Sequence, residues 1–240
     1  MANWNKLLWG GLGWAIGGPI GGIIGVVIGA VVDEASGSKS LEKTTATRPG
    51  DFGAALLVLC AAVMKSDNRL LKSELEYVKT FFIKQFGVEH AKERMLLFRE
   101  ILKQEYSLQE VCYQIRHNLD YPSRLQLIHL LFGLAYADNE LHPEEILMIE
   151  KIAEYLAIEA NDYGSIKAMF IKDNHYAYKI LEIESTASNA EIKTAYRKMA
   201  VKYHPDKVHH LGPEFQKSAH DKFKTISDAY ERIKKERSIK

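Results

Sequence analysis

From Leu7 to Val32 the chain runs 26 residues without a charged side chain, "LLWGGLGWAIGGPIGGIIGVVIGAVV". As a helix that run would span about 39 Å, enough to cross a bilayer with some tilt. A secretory signal peptide has a shorter apolar core. Gly13, Gly17, Gly21, Gly25 and Gly29 recur at every fourth position. On a helix they form a groove without side chains, along which a second helix can approach closely. In water each glycine would weaken a helix by about 1 kcal/mol relative to alanine. In hydrocarbon the backbone has only itself to bond, so helix is enforced. The expected organisation is a short tail (residues 1–6), a transmembrane helix in contact with membrane lipid (7–32) and a polar linker (33–50). Lys6 alone precedes the run, whereas Lys39, Lys43 and Arg48 follow it. The excess of positive charge places the following body on the cytoplasmic side of a single-pass anchor.

Residues 51–172 carry apolar positions three and four apart, with no alternating pattern, which predicts helices throughout. Within them the chain is duplicated at an offset of 71 residues: "KSDNRLLKSELEYVKTFF" aligns with "YADNELHPEEILMIEKIA". Each copy reads as helix, polar turn, helix. In the second, Pro143 with Glu144 and Glu145 behind it suits a first helical turn. In the first, Ser73 and Glu76 have capping-box spacing, although a slightly earlier helix start also fits. Asp67 and Asp138 in the two Asp-Asn turns are the candidate ligands for a hard cation. Their spacing to the next glutamate is far shorter than in an EF-hand loop, so capping and turn formation are the favoured roles. No cofactor is expected. Cys60 and Cys112 lie in apolar runs and read as buried free thiols.

The C-terminal part differs in charge. From His175 onward 14 Lys and Arg stand against 9 Asp and Glu, a balance of +5 in a chain whose total is +1. In "SNAEIKTAYRKMAVKY", Ser188 and Glu191 form a capping box. Ile192, Ala195, Tyr196, Met199 and Tyr203 fall on one arc of the ensuing helix, with Lys193, Arg197, Lys198 and Lys202 opposite. Proline disfavours helix at the preceding residue, so the helix ends near His204 and "HPD" sits on a turn. Pro213 starts a second helix, whose Phe223, Ile226, Tyr230 and Ile233 can pack against the first. A hairpin tip of this kind offers no nucleophile–base pair and suits docking better than catalysis. His204 and Asp206 can hydrogen-bond a partner, Pro205 stiffens the turn, and the lysines steer towards an acidic surface. His209 and His210 lack a compact ligand set. No exposed aromatics stand beside the lysines, which argues against nucleic acid.

Residues 175–240, with "YKILEI", "AEIKTAYRKMAVKYHPDK" and "FKTISDAYERI", resemble the J domain of DnaJ-type co-chaperones. The paired "DN-x-L" turns make residues 51–172 similar to the TerB-like helical domain. An all-α protein is thus expected, with an N-terminal transmembrane helix, a TerB-like bundle and a C-terminal J-domain hairpin. The resemblance implies a non-enzymatic co-chaperone of a DnaK-type Hsp70. His204, Pro205 and Asp206 would engage the partner, with Lys193, Arg197, Lys198 and Lys202 on its acidic surface and Tyr196 at the edge. The order of segments resembles membrane-anchored bacterial members of the DnaJ-like family. It implies the inner membrane, a cytoplasmic body and a homodimer through the glycine row. Residues 171–176 leave almost no linker before the J domain, which places it close to the bundle. The alternative is a TerB-type stress-response or metal-ion-sensing scaffold with the J domain as output.

Overall fold

The computed structural model describes residues 17–26, 52–67 and 69–239, and among them there is no strand. Residues 17–26 form α1. The bundle follows as α2 (Phe52–Met64), α3 (Lys72–Phe86), α4 (Val88–Ile101), α5 (Leu108–Asn118), α6 (Tyr121–Ala135), α7 (Pro143–Tyr155) and α8 (Ala160–Phe170). The C-terminal unit is α9 (Tyr176–Ile180), α10 (Asn189–Lys202), a 3-10 helix (Pro205–Leu211) and α11 (Pro213–Glu236).

α2 organises the bundle. Its sequence, FGAALLVLCAAVM, is apolar or small on every side, and every residue of it is buried. A helix without a polar face has to be enclosed, and α4, α5, α6 and α7 all pack on it. Cys60 and Cys112 are free and buried, as the sequence led us to expect. Burial pushes both thiols up, so neither is poised to react.

The duplicated turns are built alike. Asp67 Oδ1 accepts from the Arg69 amide at 2.9 Å, and Asp138 Oδ1 accepts from the Glu140 amide at 3.0 Å. Each aspartate thus closes its own turn. Asn139 takes φ 70°, the left-handed region that asparagine tolerates best after glycine. The first copy departs from the capping expected of Ser73 and Glu76. α3 starts earlier, with Leu71 as its N-cap, and Glu74 accepts from the Leu71 amide at 2.9 Å. Glu145 does the same for His142 at 3.1 Å. Both glutamates are buried, and their side chains hydrogen-bond each other across the repeat.

Of the expected membrane helix, only residues 17–26 are described. Ile20 and Ile24 join the bundle core. The Gln114 amide of α5 donates to Gly17 O at 2.6 Å and accepts from Ile20 N at 2.8 Å. Gly17, Gly21 and Gly25 are buried; Gly13 and Gly29 lie outside the described residues. Among the described residues, no helix is long and apolar enough to cross a membrane.

Burial, with the charge of Glu145 nearby, pushes Glu74 up to about 7. A carboxyl raised in the folded state stabilises it fully below about 4.5 and loses that contribution as pH rises through 7. Wild-type stability relative to Glu74→Gln should therefore fall between pH 5 and pH 8 in thermal unfolding. A pH-independent difference would show that the pair shares no proton.

Candidate functional site

The His-Pro-Asp turn is fixed at both ends. Ser188 caps α10 by accepting from Glu191 N, while Glu191 accepts from Ser188 N at 2.7 Å. The helix ends at Lys202, and His204 then caps the 3-10 helix: its Nδ1 accepts from Asp206 N at 3.3 Å. The same nitrogen lies 3.5 Å from Asp206 Oδ2. That leaves Nε2 as the ring atom available to a partner. The His204 side chain is 51% exposed and that of Asp206 88%. Pro205 is buried, because the 3-10 helix packs on both α11 and α6.

The eight residues singled out in the sequence do not share one open surface. Lys193, Arg197 and Lys198 are exposed. Tyr196 is half-buried and stacks on Tyr230 with ring centres 4.3 Å apart, so it belongs to the hairpin core. Lys202 turns inward. Its ammonium lies 2.5 Å from Asp162 Oδ1 of α8 and 3.1 Å from Glu182 Oε1. Asp162 has no exposed surface. It also accepts from Tyr121 of α6 at 2.6 Å and from Tyr203 at 2.7 Å. Burial alone would raise its pKa, but these three donors hold it below the usual carboxylate range. Burial would likewise lower Lys202, yet its hydrogen bonds to Asp162 and Glu182 raise it. The pair is charged on both sides. Glu182 sits at φ 56°, where a side chain costs about 1–2 kcal/mol. That turn carries the carboxylate to Lys202 and, at 3.4 Å, to Lys198.

A wider seat continues from this contact. Phe215 of α11 inserts between Phe52 of α2 and Phe81 of α3, with ring centres 4.5 and 4.8 Å away, both edge-on. Gln85 of α3 donates to Leu211 O and accepts from Glu214 N, each at 2.9 Å. α11 has no side-chain cap of its own, so the bundle satisfies one of its orphan amides. Gly212 between them takes φ 105°, and a Cβ there would strike Gln85. Gln126 of α6 donates to Ser218 Oγ at 2.7 Å and accepts from Lys222 Nζ at 3.0 Å. Lys222 is buried, with its ammonium 4.8 Å from the centre of the Tyr203 ring. Burial pushes this amine down to about 7. Burial, with the Lys222 charge second, keeps the neighbouring His129 well below its ordinary value. The C-terminal unit is therefore held on the bundle with its His-Pro-Asp turn at the boundary.

Comparison with known proteins agrees segment by segment. Residues 1–41 match the model of the co-chaperone DjlA transmembrane domain, residues 53–168 that of tellurite resistance protein TerB, and residues 176–240 that of the DnaJ domain. Along the chain the three matches follow one another as a transmembrane segment, a TerB domain and a DnaJ domain. The chain is 28% identical to the co-chaperone protein DjlA of Coxiella burnetii over 201 residues, covering 74% of each chain. With that of Vibrio cholerae the identity is 24% over 242 residues, 85% of this chain and 84% of the relative. The last segment alone is 54% identical over 54 residues to the mitochondrial protein import protein mas5 of Schizosaccharomyces pombe, 22% of this chain and 11% of the relative. No solved structure matches.

The residues that sequence reasoning missed are those of the seat: Asp162, Glu182, Gln85, Gln126 and Lys222. Lys222 carried a signal. It stands in register with Phe215, Ala219, Ile226 and Ile233, all buried on α11, and a lysine on an apolar register marks a polar partner on the facing element.

A lysine depressed to about 7 contributes stability that rises with pH between 7 and its unfolded value of about 10.5. Wild-type stability relative to Lys222→Met should therefore increase from pH 7 to pH 9 in thermal unfolding. A flat difference would place the amine in water.

Proposed function

We propose that the protein is a membrane-anchored co-chaperone that recruits a DnaK-type Hsp70 and stimulates its ATPase through His204, Pro205 and Asp206. The observation that supports this most is the pairing of a rigid, outward-facing His204 and Asp206 with the exposed cations Lys193, Arg197 and Lys198 on the adjoining helix. A fixed turn supplies directional hydrogen bonds, and a neighbouring basic row supplies orientation and encounter rate. Nothing in the turn resembles a nucleophile activated by a base; its Nδ1 is spent on its own backbone. Catalysis then belongs to the partner, whose hydrolysis-competent conformation the docked turn favours.

The N-terminal match supports anchoring in the inner membrane with the body in the cytoplasm. A homodimer through Gly13, Gly17, Gly21, Gly25 and Gly29 belongs to the same reading, supported by their four-residue spacing alone. Pro205 and Lys202 are part of the interface in this reading, although in the present arrangement one is buried and the other paired.

The full chain in lipid nanodiscs should accelerate single-turnover ATP hydrolysis by a DnaK-type Hsp70. His204→Gln should abolish that acceleration while lowering the thermal midpoint of the chain by no more than about 4 °C, because the cap that His204 makes to Asp206 N contributes about 1 kcal/mol. Stimulation that survives His204→Gln would overturn the assignment.

A further inference from the structure

Lys202 faces two demands. In the proposed function it belongs to the basic row that meets an acidic Hsp70 surface; in the structure its ammonium is held by Asp162 and Glu182. We propose that Asp162 is an internal competitor for that surface, latching the J domain on the bundle in a partly masked state that Hsp70 must open. This rests on the Hsp70 reading and concerns the regulation of the same site.

Three features make the contact a latch rather than an incidental ion pair. Asp162 is wholly buried, and among the described residues Lys202 is the one cation within ion-pair distance of it. Removing one member of a buried pair leaves an uncompensated charge out of water, which is far costlier than losing a surface pair. Lys202 therefore cannot leave while the J domain stays seated; departure and unseating are one event. Second, the masked groups sit together. Lys202, Tyr203 and Pro205 are adjacent in sequence and are turned towards the bundle, while His204, Asp206, Lys193 and Arg197 remain accessible. The open residues suffice for a first encounter, and the closed ones are released in a second step. Third, the rest of the seat can come apart without stranding the J domain. Its own core, with Ile192, Met199, Ile226 and Ile233 buried, lies further along α10 and α11 from the turn, on the same face of α11 as Phe215 and Lys222. The seat is made by Phe215, Gln126 with Lys222, Gln85, and the packing of α9 on α8, where Ser165 donates to Ile180 O at 2.7 Å.

An Hsp70 that binds Lys202 only in the unseated state shifts the equilibrium towards it, and by linkage the seat weakens Hsp70 binding by the same factor. A partner that binds only the seated arrangement would act in the opposite direction.

The test uses the full chain in nanodiscs, with Asp162→Asn and Phe215→Ala each compared with wild type. Asparagine keeps one acceptor oxygen, for one of the two tyrosines, and gives up the charge; alanine removes the anchor ring and leaves the Hsp70-facing residues untouched. Hydrogen exchange is followed at residues 205–212 for seating and in α2 for folding. Both variants should exchange faster at residues 205–212 with α2 unchanged, and should reach half-maximal ATPase stimulation at a concentration about tenfold lower, a coupling of ordinary size. His204→Gln added to either should abolish stimulation. Faster exchange at residues 205–212 with an unchanged or raised half-maximal concentration would overturn the latch and leave the Hsp70 reading intact. Unchanged exchange in both variants would overturn it as well. If one variant loses protection in α2, the other decides. Absence of stimulation by wild type and both variants would contradict the Hsp70 reading and the latch with it.

Discussion

A carboxylate with no access to water must be neutralised where it stands, and Asp162 is such a group. Its donors come from two directions, Tyr121 from the bundle and Lys202 with Tyr203 from the C-terminal hairpin. The bundle can offer the tyrosine but not the cation. The end of α10 is consequently drawn onto α8, and the placement of the adjoining turn follows. Pro205 then lies against the bundle while His204 and Asp206 face outward. Without Asp162 the J domain would still fold around its own core, but its orientation would rest on Phe215, the packing of α9 on α8 and hydrogen bonds that involve no carboxylate.

The basic row of α10 is thereby divided. Lys193 and Arg197 stand in solvent, Lys198 reaches Glu182 at 3.4 Å while mostly exposed, and Lys202 is enclosed. Exposed ion pairs contribute little and are screened by salt, whereas an enclosed pair is not. Salt therefore weakens the encounter made by the first group more than the internal contact made by the last. On the far side of the seat, Lys222 shows the opposite solution to burial. It faces a glutamine and a tyrosine ring rather than a carboxylate, and it is depressed to about 7 instead of raised.

Much of the helical framework was legible in the sequence because it is written in local chemistry. The Ser188–Glu191 box, the end of α10 before Pro205 and the start of α11 at Pro213 depend on neighbours within four residues. The repeat was also visible, since both copies keep Asp, Leu and Glu in step. Its physical point was less so: the two glutamates that cap α3 and α7 meet each other, which no single-helix pattern reveals. The same limit applies to the candidate site. The sequence reading grouped Lys202 with the basic face, but at 3.6 residues per turn it stands only about 60° from Met199, at the edge of the buried arc. Periodicity could not say that another part of the chain would cover that edge. Nor could it tell that Phe215, on the same register of α11 as Ile226 and Ile233, anchors the domain between Phe52 and Phe81. Long-range charge pairing and aromatic insertion have no local signature beyond a lysine or ring set on a buried register.

The seating of the J domain is the claim on which the account turns, and a distance distribution measures it directly. Leu147 of α7 and Glu231 of α11 are exposed, while both native thiols are buried, so Leu147→Cys with Glu231→Cys can be spin-labelled selectively in the full chain. Pulsed electron–electron resonance should give one narrow distance for that pair in the absence of Hsp70. A broad distribution, as from a domain moving on a tether, would contradict the account.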